Sequence, residues 1–88
     1  MTVAARVQVS GVVQGVGFRP FVYNLARQRG LAGWVNNTAE GVTIVVEGDP
    51  AAVAAFPDEV WRLAPPMAVV ESVTATTVAA TAHPARKT

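Results

Sequence analysis

Gly11-Val-Val-Gln-Gly-Val-Gly-Phe-Arg-Pro-Phe-Val-Tyr-Asn24 is the stretch in which a strand-like run meets three glycines and then a helix start. Upstream, Arg6 to Val13 alternates apolar Val7 and Val9 with polar Gln8 and Ser10, the two-residue period of a half-buried strand. Gly11, Gly15 and Gly17 let the backbone turn sharply and leave its N–H groups without covering side chains. Pro20 stands where the first helical residue is expected, because its missing N–H would find no intrahelical partner there. A strand, a glycine loop and a helix N-terminus form an anion cradle, with N–H groups and the helix dipole both favouring negative charge. Arg19 at its mouth adds a guanidinium fork that matches phosphate oxygens. Spacing alone describes a tight turn with one exposed arginine equally well. The dinucleotide fingerprint would need glycine at Pro20, and the P-loop pattern needs Lys followed by Ser or Thr; neither is present.

Working outward, the 88 residues suit one domain, since domains run roughly 50 to 200 residues. Apolar residues make up 51%, enough for a small core that folds without metal or disulfide support. With no cysteine and only His83 as imidazole, a disulfide framework, a thiolate site, a cysteine nucleophile and a histidine metal cluster are all excluded. The basic residues are scattered over positions 6, 19, 27, 29, 62, 86 and 87 for a net charge of +1, too sparse for a nucleic-acid footprint. No apolar run approaches the roughly 20 residues that span a bilayer. The opening Met-Thr-Val-Ala-Ala-Arg lacks the long apolar stretch of a signal peptide, so a cytoplasmic location is expected.

Pro20 to Gly30 reads as a helix burying Phe21, Val22, Leu25 and Ala26, ended by Gly30 with Leu31 folding back on the last turn. Two strand-like runs follow, Gly33–Thr38 and Val42–Glu47, joined as a hairpin through Ala39-Glu40-Gly41. In the second, Val42, Ile44 and Val46 share one face. Asp49 is an N-cap and Pro50 a first helical residue. Val53, Phe56, Val60 and Leu63 give that helix a buried stripe, with a kink or break expected near 53–57 from Pro57. Val69 to Val78 reads as a last strand, and 79–88 as a flexible tail or the start of a linker after a domain spanning 1–78. The order β-α-β-β-α-β predicts an α+β ferredoxin-like sandwich, a four-stranded antiparallel sheet with strands one and three central and both helices on one face. That topology turns Asn36 and Asn37 toward the Arg19 cradle.

The Val13-Gln-Gly-Val-Gly-Phe-Arg19 loop, followed by Gly33-Trp-Val-Asn-Asn-Thr38 and Gly41, resembles the acylphosphatase family, with its V-Q-G-V-x-F-R loop and G-x-V-x-N strand. The resemblance covers about Arg6 to Val78. It implies that Arg19 binds phosphate together with the loop Gln14, Gly15, Val16, Gly17 and Phe18, and that Asn37 orients the attacking water. Asn36 falls on the variable position before it. The run Gly17-Phe-Arg-Pro-Phe-Val22, with Pro65-Pro66-Met-Ala68, is similar to the acylphosphatase-like N-terminal domain of HypF-type carbamoyltransferases of [NiFe]-hydrogenase maturation.

The activity so implied is hydrolysis of an acyl phosphate, with carbamoyl phosphate the substrate in that branch, needing no metal or cofactor. Phosphate or sulfate would occupy the loop, and the remaining domains of a longer carbamoyltransferase would be partners. The chain stops at Thr88, which reads as an excised domain, with a free-standing acylphosphatase as the alternative. A non-catalytic ligand-binding module of the same topology is a third reading. RNA recognition on this fold needs aromatics on the central strands, and Arg6–Val13 and Val42–Glu47 have none. Asn37 standing alone would read as a turn-flanking amide. Trp34 and Phe18 read as packing residues, Tyr23 as a core residue or, as the alternative, one lining the substrate mouth, and His83 as an inert exposed side chain. Asp58 and Glu59 point to different helical faces and do not form an acid/base pair.

Overall fold

A computed structural model of the chain describes residues 1–80. The elements run β1 (Val3–Val12), α1 (Phe18–Gln28), β2 (Ala32–Asn37), β3 (Gly41–Gly48), α2 (Pro50–Leu63) and β4 (Val69–Val78). The strands form one sheet in the order β2-β3-β1-β4 with every pairing antiparallel, so β1 and β3 are central as the element order predicts. His83 and most of the expected tail lie outside the described residues. No described helix is long and apolar enough to cross a membrane.

The core lies between one sheet face and the two helices. Val7 opposes Ile44, Val9 opposes Val42 and Ala5 opposes Val46, and directly opposed residues of an antiparallel pair project to the same face. These side chains are buried together with Val22 and Leu25 of α1 and Val53, Phe56 and Val60 of α2. The other face is polar: Gln8 accepts a hydrogen bond from the Thr43 hydroxyl, and Ser10 pairs with Ser72 across β1 and β4. The two faces therefore follow the period-2 alternation read in β1 and β3.

Helix α1 starts two residues earlier than expected. Phe18 is its first residue, and Pro20 occupies the third position, still within the turn whose N–H groups lack intrahelical acceptors. The first helical bond runs from the Phe21 N–H to the Gly17 carbonyl at 3.2 Å. Its C-terminus closes with Leu31 N–H on the Ala26 carbonyl (2.9 Å) and Gly30 N–H on Arg27 (3.1 Å), with Gly30 at φ 70°. That is the double bond of a glycine-terminated helix, and it folds Leu31 into the core.

Helix α2 begins on Asp49, whose carboxylate accepts from the Ala51 and Ala52 N–H groups at 3.1 and 3.4 Å. Of the kink or break expected near 53–57, the break does not occur: the helix is continuous through Pro57, and Val53, Phe56 and Val60 are buried on both sides of the proline. Leu63, expected in the buried stripe, is 47% exposed because it is the helix's last residue.

Candidate functional site

The loop between β1 and α1 is anchored from below and open above. Val13 and Phe18 are buried and Val16 is half-buried against the core, while Gln14, Gly15 and Gly17 are exposed. Gly15 and Gly17 sit at φ 77° and 80°, the left-handed region that a side chain penalises. The result is a turn whose apolar residues hold it down and whose backbone faces solvent. Apart from the turn that closes over Gln14–Gly17, the N–H groups from Gly15 to Arg19 donate to no described residue. Those of Gly17, Phe18 and Arg19 are also the leading donors of α1, so the helix dipole adds to the positive potential there. Arg19 is exposed and makes no ion pair or side-chain hydrogen bond with a described residue.

The sheet brings Asn37 to the same end. β1 and β2 both run antiparallel to β3, so their C-terminal ends coincide. Asn37 opposes Val42, which opposes Val9; it therefore projects from the helix-covered face, on the side of α1. Asn36 opposes Thr43, which opposes Gln8, and so projects from the polar face. The expectation that both asparagines turn toward the cradle is corrected by this register: consecutive strand residues cannot share a face. Asn37 remains exposed, as its place at a strand end demands.

Loop and hairpin are joined directly. The Gln14 Nε2 donates to the Thr38 carbonyl at 2.7 Å and to the Gly41 carbonyl at 3.0 Å. Gly11 N–H donates to the Glu40 carbonyl at 3.2 Å. The hairpin turn is closed by Thr38 N–H on the Gly41 carbonyl (2.8 Å) and by Gly41 N–H on the Thr38 hydroxyl (3.1 Å). The sequence places Gln14 in the expected phosphate-binding loop but gives no direct sign of this side-chain role. The available signal was Thr38 three residues before Gly41, a spacing that lets a hydroxyl close a turn and aim two carbonyls outward.

The other side chains singled out from sequence lie elsewhere. Phe18 packs in the core as expected, its ring 5.4 Å from that of Phe21. Tyr23 does not: it is 55% exposed, because the buried stripe of α1 runs Phe18, Val22, Leu25 and leaves Tyr23 about 100° round the helix from Val22. The Arg27 guanidinium stacks over its ring at 5.7 Å. Trp34 is 39% exposed on the polar sheet face rather than packed. Both line an apolar groove of about 560 Å³ between α1 and β2, with Val22, Ala26, Leu31 and Val35. Asp58 and Glu59 go to separate partners, Arg62 at 2.7 Å and Arg29 at 2.9 Å. The exposed Arg62 guanidinium is held above its ordinary pKa by the hydrogen bond it donates to Asp58 and then by that carboxylate's charge. Among the described residues no three His, Cys, Asp or Glu side chains cluster as metal ligands would.

This is a ferredoxin-like domain with an exposed glycine turn at a helix N-terminus, an exposed arginine and a strand-end amide at a single sheet end. The chain belongs to the acylphosphatase family, a family of hydrolases: the family's model, described as Acylphosphatase, matches residues 5–87. It is 54% identical over 72 residues to the carbamoyltransferase HypF2 of Cupriavidus necator, covering 82% of this chain and 9% of that protein. It is 49% identical over 73 residues to an acylphosphatase of Gloeobacter violaceus, covering 81% of this chain and 76% of the relative. Among solved structures, a full-length HypF in a phosphate- and nucleotide-bound form superposes with a TM-score of 0.89 at 34% identity, over 96% of this chain and 11% of that one. An acylphosphatase from Coxiella burnetii superposes with a TM-score of 0.86 at 31% identity, over 94% and 87%. The chain thus spans about a tenth of the carbamoyltransferases it resembles and most of the acylphosphatases.

Proposed function

We propose that this domain hydrolyses acyl phosphates at the end of the sheet where the Gly15–Arg19 loop meets Asn37, and that its substrate is carbamoyl phosphate within a longer carbamoyltransferase. The observation that carries the reading is the exposed glycine turn leading into the N-terminal N–H groups of α1, beside the exposed Arg19. The N–H groups and the guanidinium hold the phosphoryl oxygens. A water hydrogen-bonded to the Asn37 side chain attacks phosphorus in line with the acyl oxygen. The P–O bond to that oxygen breaks, the carboxylate or carbamate leaves with the electron pair, and the water's surplus proton passes to solvent.

Phosphoryl transfer of this kind asks the protein for charge stabilisation and positioning more than for covalent chemistry. Asn37 cannot serve as a base at neutral pH, since its amide has no titrating group there, but the mixed anhydride is already activated. The carbamoyl specificity and the hydrogenase-maturation context are supported by the similarity to HypF over most of this chain. The chain's match to free acylphosphatases over most of their length favours a second reading, general acyl-phosphate hydrolysis.

The test is hydrolysis of benzoyl phosphate and carbamoyl phosphate by the wild type, Arg19→Ala and Arg19→Lys. Loss of one preorganised donor to a developing negative charge typically costs about 10²–10³ in rate, so Arg19→Ala should fall by at least that much. Lysine should restore only part of the loss, because it lacks the planar fork. Full activity in Arg19→Ala would end the site assignment. Phosphate binding without turnover of either substrate by the wild type would favour a non-catalytic module instead.

A further inference from the structure

We infer that the Gln14 side chain is a positioning residue, setting the distance between the phosphate held by the loop and the water held by Asn37 while touching neither; the inference rests on the hydrolase reading above. The β1–β3 ladder ends at Ser10 opposite Gly41, so beyond Ser10 the chain leaves its central partner before it forms the loop. Four residues on, Gln14 reconnects it. Both Nε2 hydrogens are used, one on the Thr38 carbonyl at 2.7 Å and one on the Gly41 carbonyl at 3.0 Å. Because both neighbours are carbonyl oxygens, only the nitrogen end of the amide can face them, which fixes its orientation.

The two contacts fall on either side of the hairpin turn. Thr38 directly follows Asn37, and Gly41 is the first residue of β3. On the other side, Gln14 directly precedes Gly15, the first glycine of the exposed turn. The amide therefore spans the two halves of the site, one residue from each. The other hydrogen bond between this segment and the hairpin, Gly11 N–H on the Glu40 carbonyl, lies nearer the sheet; beyond it the buried Val13 and Phe18 hold the loop to the core, and Gln14 ties it to the hairpin. Glutamate at position 14 would aim acceptors at two acceptors, and leucine would donate nothing while filling a similar volume.

The experiment uses the whole chain with benzoyl phosphate and reads kcat, KM, inhibition by inorganic phosphate and the thermal midpoint. In Gln14→Leu the loop N–H groups and Arg19 remain, so phosphate inhibition should be unchanged, while kcat should fall about 10- to 100-fold from a misplaced water. In the Asn37→Ala background Gln14→Leu should cost nothing further, because the group through which it acts is gone. Gln14→Asn keeps the amide but is one methylene shorter, so it should fold like the wild type and lose kcat to an intermediate degree. Losses that multiply in the double variant would overturn the inference. So would weakened phosphate inhibition with kcat intact, or wild-type kcat in both Gln14 variants. An inactive wild type, or an Asn37→Ala variant with full activity, would instead sink the underlying hydrolase reading, and the positioning role with it.

Discussion

Replacing each asparagine of the Asn36-Asn37 pair separately by alanine tests the site and the sheet register at once. Both side chains are exposed, and neither makes a hydrogen bond to a described residue. Each substitution should therefore change folding stability by no more than about 0.5 kcal/mol, the usual range for such surface positions. Their effects on turnover should differ widely. Asn37 lies in the row Asn37–Val42–Val9 on the face shared with α1, and Asn36 in the row Asn36–Thr43–Gln8 on the opposite face. On the proposed mechanism Asn37 aligns the nucleophile, and losing its amide should cost about 2.7–4 kcal/mol of transition-state stabilisation, by analogy with a lost oxyanion-hole group. At 1.36 kcal/mol per decade that is roughly a 100- to 1,000-fold drop in kcat.

Asn36 cannot substitute for its neighbour. It lies only about 3.3 Å along the strand, but the pleat turns it to the far side of the sheet. Asn36→Ala should then match the wild type in kcat and KM. Initial rates of benzoyl phosphate hydrolysis, followed by the ultraviolet change as benzoate is released, give both constants, and urea melts confirm that both variants are folded. If Asn36→Ala carried the loss and Asn37→Ala did not, the face assignment would be wrong. If neither did, the water would be held by some other group.

Two further predictions concern the scaffold. Phe56 is fully buried and Trp61 is 48% exposed on the same helix. Phe56→Ala should cost about 3–5 kcal/mol in denaturant melts through transfer and cavity terms, enough to unfold much of a marginal small domain, with Trp61→Ala far milder. Two glycines at this end of the sheet should also respond differently to alanine. A Cβ on Gly15 meets nothing within 4 Å, so Gly15→Ala should cost only the left-handed backbone penalty of about 1–2 kcal/mol. A Cβ on Gly41 would lie 2.0 Å from the Val9 carbonyl oxygen, so Gly41→Ala should cost at least about 3 kcal/mol, the upper end of overpacking penalties. Equal costs would show that the strand edge yields more readily than the packing implies.

The parts of the fold legible in the sequence were those written by periodicity and punctuation. Val7 and Val9, and Val42, Ile44 and Val46, announce their strand faces two residues at a time, while Gly30 and Asp49 mark a helix end and a helix start by local backbone chemistry. Positions whose environment is set by another element were harder to read. Tyr23 and Leu63 are apolar enough for a core, and only the packing of α1 and the end of α2 leaves them exposed. Pro57 breaks a helix in isolation, yet α2 has buried anchors on both sides of it. The asparagine pair shows the same limit within the site. Local sequence presents two equivalent amides, and the β2–β3–β1 register, a long-range property, separates them onto opposite faces.

The Gln14 contacts carry this argument furthest. A glutamine in a glycine loop looks like filler, because its partners are backbone carbonyls 24 and 27 residues away and carbonyls leave no trace in side-chain identity. The site is then assembled from local and non-local parts. The loop that presents N–H donors is encoded in a few consecutive residues, the placement of Asn37 depends on two antiparallel ladders, and one side-chain amide ties these parts together. Such an arrangement suits a reaction in which the substrate carries its own activation, because a mixed anhydride needs its phosphoryl oxygens held and a water aimed more than it needs a base. It also makes precision the vulnerable quantity. A change that leaves every donor in place but shifts loop against hairpin should leave binding intact and slow turnover, whereas loss of Arg19 should impair both.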